Sequence, residues 1–68
     1  MDKLETAIRI ITGYADAAED FAKHAEAQAE CAKEPITRRI WESEGTKERA
    51  IARAYRTALT EIIAALEK

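Results

Sequence analysis

The chain has 68 residues, of which 35% are charged and 47% hydrophobic, and its formal net charge is −2. That length allows one domain at most, and a chain so short often needs disulfides, metals or oligomerisation to secure its fold. Cys31 is the single cysteine, which excludes an intrachain disulfide and fits a reducing compartment.

The N-terminal run MDKLETAIRIITGY scatters charges among its apolar residues, so it lacks the apolar core of a signal peptide. No segment reaches the ~18 apolar residues of a membrane span. A soluble, cytoplasmic protein with no membrane partner is therefore expected. The near-neutral balance gives no general attraction to nucleic acid or acidic lipid. Alanine, glutamate, lysine and arginine predominate, with only two glycines and one proline, a composition that favours helix throughout.

Asp2 followed by Glu5 resembles a capping box and opens the first predicted helix, over about residues 2–33. Leu4, Ile8, Ile11, Ala15, Ala18, Ala22, Ala25, Ala29 and Ala32 recur in alternating steps of four and three, an a/d repeat that a strand cannot produce. Beside it runs a second stripe, Ala7, Ile10, Tyr14, Ala17, Phe21, His24, Gln28 and Cys31. Together the two stripes cover roughly half the helix circumference, more than one neighbouring helix needs. Gly13 falls on the opposite side.

A turn is expected at residues 34–35, because Pro35 keeps Glu34 out of helical geometry and suits the first turn of a new helix. The second arm, about residues 36–67, starts with Ile36, Ile40 and Trp41. Then the apolar pattern fails across Ser43–Glu48. Two readings stay open here. In one, a single arm is kinked or solvated around Gly45. In the other, Gly45 caps a short helix and Thr46 starts a fresh one. From Arg49 onward the helix is plain, with Ile51, Tyr55, Ala58, Ile62 and Leu66 as the main seam and Ala54, Leu59, Ile63 and Ala65 widening it.

The expected fold is all-α: an antiparallel helical hairpin forming one domain over residues 1–68, assembling with a second copy as a four-helix bundle. The first arm, Met1–Glu34, carries four bases and eight acids (−4), and the second, Pro35–Lys68, seven bases and five acids (+2), so the arms attract within or between chains. Leu4, Ile8 and Ile11 should face Leu66, Ile62 and Leu59 at the open end and supply most of the stability. Ile10, Tyr14, Phe21, Tyr55, Leu59 and Ile63 are the expected oligomer interface.

Arg49, Arg53 and Arg56 at i, i+4 and i+7 form a ridge expected to face solvent, with Arg38 on the same stripe and Arg39 beside it. Such a ridge suits phosphate, RNA or an acidic protein surface, although Glu42, Glu44 and Glu48 dilute it and no aromatic residues interleave it for base stacking. Trp41 beside the turn is read as an interface anchor or as a cap over Ile36 and Ile40. Asp16, Glu19, Asp20, Glu26 and Glu30 are read as a solvated outer face, with Glu5–Arg9 and Glu19–Lys23 as i, i+4 pairs.

His24 and Cys31 lie seven residues apart without the further ligands a metal needs, so no metal and no cofactor are expected. Nor is there a Gly-rich phosphate loop or a CxxC pair. The functional expectation is a small non-enzymatic oligomerisation and protein-interaction module, a regulator or adaptor, acting as a homodimer or tetramer with a protein partner. The alternative is a nucleic-acid-binding hairpin dimer that uses the Arg ridge.

Overall fold

Asp2 begins the first helix as its residue type dictates. The Leu4 N–H donates to the Asp2 carboxylate at 3.1 Å, satisfying one of the donors a first turn leaves orphaned. A computed structural model describes residues 2–67, with α1 spanning Lys3–Cys31 and α2 spanning Pro35–Leu66.

α1 stops two residues before the expected Lys33. Ala32 is extended at φ −69°, ψ 128°; its N–H donates to the Ala29 carbonyl at 3.3 Å. The Arg38 guanidinium then donates to the Ala32 carbonyl at 3.2 Å, which ties the turn to the start of α2. Glu34 is extended at ψ 135°, as a residue before proline must be, and Pro35 occupies the first helical position.

Ion pairs Glu26–Arg49 and Asp16–Arg56 step down one helix as they step up the other, so the helices are antiparallel. The hairpin measures 51 × 20 × 11 Å, a ribbon two helices wide and one helix thick. Each helix therefore has one neighbour, and only its seam is fully covered. Ala15, Ala18, Ala22, Ala25 and Ala29 are the buried residues of α1, all members of the expected a/d stripe. Those of α2 are Gly45, Ala52 and Leu59, spaced seven apart.

The α2 seam decides between the two open readings in favour of the single arm, and it corrects the expected seam residues. First, α2 runs unbroken through Ser43–Glu48, and no described residue has positive φ, so Gly45 is not a left-handed cap. Gly45 lies on the seam. A Cβ there would sit 3.4 Å from Glu26 Cγ and 3.7 Å from both the Ala22 carbonyl oxygen and Ala25 Cβ. A side chain larger than methyl would part the helices. Because the seam position is glycine, Glu44 and Glu48 only flank it, half-buried, and Lys47 stays exposed. The charges that a continuous helix threatened to bury are thus spared.

Second, the seam is rotated towards Ala52 and Leu59. Ile51, Tyr55, Ala58 and Ile62 are half-buried at its side, and Ala54, Ile63 and Ala65 are exposed.

The bulky open end is also less covered than expected. Leu4 and Leu66 are 37% and 52% exposed, and Ile8, Ile11 and Ile62 are half-buried. One neighbour shields one side of a long side chain, whereas it can cover an alanine completely. Leu59 is the one large side chain among the buried residues described.

Leu59→Ala is accordingly expected to cost about 2–3 kcal/mol, and the half-buried Ile62→Ala distinctly less, in urea unfolding. Equal losses would place the core elsewhere. Gly45 gives a sharper test. Gly45→Ala should stabilise the chain by up to about 1 kcal/mol, since the methyl fits and alanine is the better helix former. Gly45→Leu should destabilise it, and a neutral Gly45→Leu would mean that the helices do not depend on close approach here.

Candidate interaction faces

A ribbon has two broad faces, and the seam divides them. Relative to the buried alanines, the helical repeat sends Asp16, Glu19, Glu26 and Glu30 to one side of α1. Ile10, Tyr14, Ala17, Phe21 and Gln28 go to the other. On α2 the same division puts Arg38, Glu42, Arg49, Arg53 and Arg56 on the first side, with Glu44, Glu48, Ile51, Tyr55, Ala58 and Ile62 on the second.

The first face is ionic. Arg49 grips Glu26 with two donors, Nε to Oε2 at 2.9 Å and Nη2 to Oε1 at 2.8 Å. Arg56 bridges two acids, Nε to Glu19 Oε1 at 3.0 Å and Nη2 to Asp16 Oδ1 at 2.7 Å. These are cross-helix clamps with the fork geometry that suits guanidinium and carboxylate. They correct the expectation of a solvent-facing Arg ridge: Arg49 and Arg56 are turned onto α1, and three of the five acids expected on a merely solvated outer face, Asp16, Glu19 and Glu26, are their partners. Glu19 pairs with Arg56 rather than with Lys23, while Glu5–Arg9 forms at 3.8 Å.

Between the arms, near the turn, a groove is lined by Glu26, Ala29, Glu30, Arg38, Glu42, Thr46, Arg49, Ala50 and Arg53. Acids and bases alternate along it, which leaves little net positive field. Arg39 and Arg53 are exposed.

The second face is apolar. Tyr14 and Tyr55 meet across the helices with ring centroids 5.8 Å apart. A shallow groove there is lined by Tyr14, Ala17, Ala18, Phe21, Glu48, Ile51 and Tyr55. Towards the turn, His24 meets Phe21 at 6.3 Å and lies edge-on to Trp41 at 5.7 Å and 90°. Ile10, Tyr14 and Phe21 are 51%, 56% and 43% exposed, and Ile36 and Ile40 at the turn end are 75% and 57% exposed. These residues leave exposed apolar surface on this face on both sides of Glu44 and Glu48.

Of the expected interface residues, Ile10, Tyr14, Phe21 and Tyr55 share this face. Leu59 does not: at 7% exposure it belongs to the seam inside the hairpin. Ile63, seven residues beyond Arg56, falls in the column of Arg49 and Arg56 at the ionic side. Trp41 is half-buried against His24, and the contact brings the aromatic strip to the turn.

Cys31 is exposed. Among the described residues no group of three or more His, Cys, Asp or Glu side chains is placed to hold a metal, and no helix is long and apolar enough to cross a membrane. No family model, curated protein or solved structure matches the chain.

The clamps carry a pH signature. The Arg56 hydrogen bond holds the Glu19 carboxyl below its ordinary value of 4.5, and the Arg49 hydrogen bond does the same for Glu26. A carboxyl whose folded pKa is depressed contributes stability that is present above its unfolded pKa and is lost as pH falls through the folded one. The thermal midpoint should therefore drop as pH is lowered from about 6 to about 3. The drop should be smaller in an Arg49→Gln, Arg56→Gln variant. Identical pH profiles would show that the clamps are not coupled to folding. Because both pairs are solvent-accessible, added salt should also shrink the difference.

Proposed function

We propose that this chain is a small non-enzymatic interaction module that works by self-association, two hairpins closing their aromatic faces into a four-helix bundle. The observation that carries the reading is surplus surface. A compact folded monomer of this mass exposes about 4,300 Å², whereas this hairpin exposes 5375 Å². The surplus is comparable to one broad face of the ribbon, 51 × 20 Å or about 1,000 Å², and a standard protein interface takes ~800 Å² from each partner.

The strip's composition supports the same reading, since exposed tyrosine, phenylalanine and isoleucine gain most from leaving water. A second copy would also cover the half-buried residues of the open end. The ionic faces would then form the outer surface of the bundle and be free for a protein partner, which fits a regulator or adaptor acting in the cytoplasm. A nucleic-acid role draws less support, because Arg49 and Arg56 already have carboxylate partners and the groove beside them mixes both signs.

Sedimentation velocity over a concentration series tests the proposal. The chain is expected to be dimeric at micromolar concentration, and a Tyr14→Lys, Phe21→Lys variant monomeric yet still helical by circular dichroism. A wild-type chain that stays monomeric to several hundred micromolar would sink the self-association reading.

A further inference from the structure

We infer that the occupant of the aromatic face is a second copy of this chain related by a two-fold axis parallel to the hairpin, so that α1 of each copy lies on α2 of the other. The inference rests on the self-association proposed above and adds its geometry. Two face-to-face arrangements keep every neighbouring helix antiparallel. A two-fold along the ribbon stacks α1 on the partner's α2 with levels preserved. A two-fold across the ribbon stacks α1 on α1 and α2 on α2 with levels inverted. Helix dipoles do not separate the two arrangements, but charges do.

The apolar face is interrupted near the turn by Glu44 and Glu48 of α2, both half-buried before any second copy arrives. Their level on the ribbon is that of His24, which touches Trp41 and neighbours Ala25, the residue packed against Gly45. With levels preserved, His24 of each copy meets the partner's Glu44 and Glu48. An imidazole N–H can donate to a carboxylate in either protonation state, so one of the two half-buried acids gains a donor from each neutral imidazole. With levels inverted, the same carboxylates land on the partner's apolar stretch around Tyr55 and Ala58. Among the described residues the helical repeat turns Lys3 and Lys47 towards that face, but neither lies at the level of Tyr55 and Ala58, and an unpaired buried charge is costly there.

The arms as wholes agree. Residues 1–34 carry −4 and residues 35–68 carry +2, so the parallel axis sets each arm against one of opposite sign, while the other axis sets the two acidic arms together. Tyr14 and Tyr55, already in contact within one chain, would meet their symmetry mates in a four-tyrosine cluster.

The lone exposed thiol of Cys31, near the turn, reports the axis directly. A nitroxide attached to Cys31 of the wild-type chain gives one intermolecular distance by pulsed electron resonance. The parallel axis puts both labels at one end of the bundle, and roughly 20–35 Å is expected from helices packed ~10 Å apart. The transverse axis puts them at opposite ends, roughly 45 Å or more apart. The short distance supports the inference and the long one overturns it while leaving self-association intact. The absence of any dipolar signal, with a monomeric sedimentation profile, removes the self-association reading itself.

His24→Glu, set against the partner's two glutamates, should weaken dimerisation by about tenfold or more, and His24→Gln, which keeps an N–H donor, should weaken it far less. Equal affinities for the two variants would overturn the cross-subunit contact.

Discussion

The close approach of two helices along a seam of alanine and glycine is the constraint from which the rest of this structure follows. Ala15, Ala18, Ala22, Ala25 and Ala29 present almost nothing beyond the α1 backbone, and Gly45 presents nothing at all on α2. Around Gly45 a large side chain cannot occupy such a seam, and Leu59 is the one large residue among those described that is buried in it. The others are displaced to its two sides, where a hairpin one helix thick shields them on one flank only. The long aromatic and aliphatic residues of this chain are thus left outside because its small residues are inside.

The same constraint orders the charges. Helices held close bring the acidic edge of α1 within reach of the arginines of α2. Arg49 and Arg56 span the gap with short, forked hydrogen bonds to Glu26, Glu19 and Asp16. Solvent-accessible ion pairs add little net stability. Their larger effect is on register: a slip of one turn would separate both clamps and move Gly45 away from Ala22 and Ala25. The clamps and the glycine therefore select one alignment from the many that a uniform alanine stripe would tolerate.

The two faces then differ in kind. On the ionic face Arg49 and Arg56 find their carboxylate partners within one chain. The aromatic face leaves Ile10, Tyr14 and Phe21 in water, with Glu44 and Glu48 waiting half-buried at its margin.

Much of this was legible in the sequence. The 4-3 spacing from Leu4 to Ala32 marks the α1 seam, the parallel stripe through Tyr14 and Phe21 marks the strip beside it, and Pro35 marks the turn, because helical periodicity and proline geometry are local properties of the chain. Other features depend on what lies across the seam. Gly45 in isolation leaves open a kinked or solvated arm and a helix break, and becomes a contact residue only when Ala22 and Ala25 are opposite it. Arg49 and Arg56 read as a solvent-facing ridge until an antiparallel partner helix brings Glu26, Glu19 and Asp16 alongside. Leu59 and Ile63 look equivalent on the wheel, yet one is buried and the other stands in the arginine column, because the rotation of α2 about its own axis is set by packing. Sequence by itself determined which residues share a stripe, since that follows from 3.6 residues per turn. Only the tertiary structure decided which face of α2 turns inward and which charges meet across the seam, since those depend on the distance and register between two helices that no local pattern encodes.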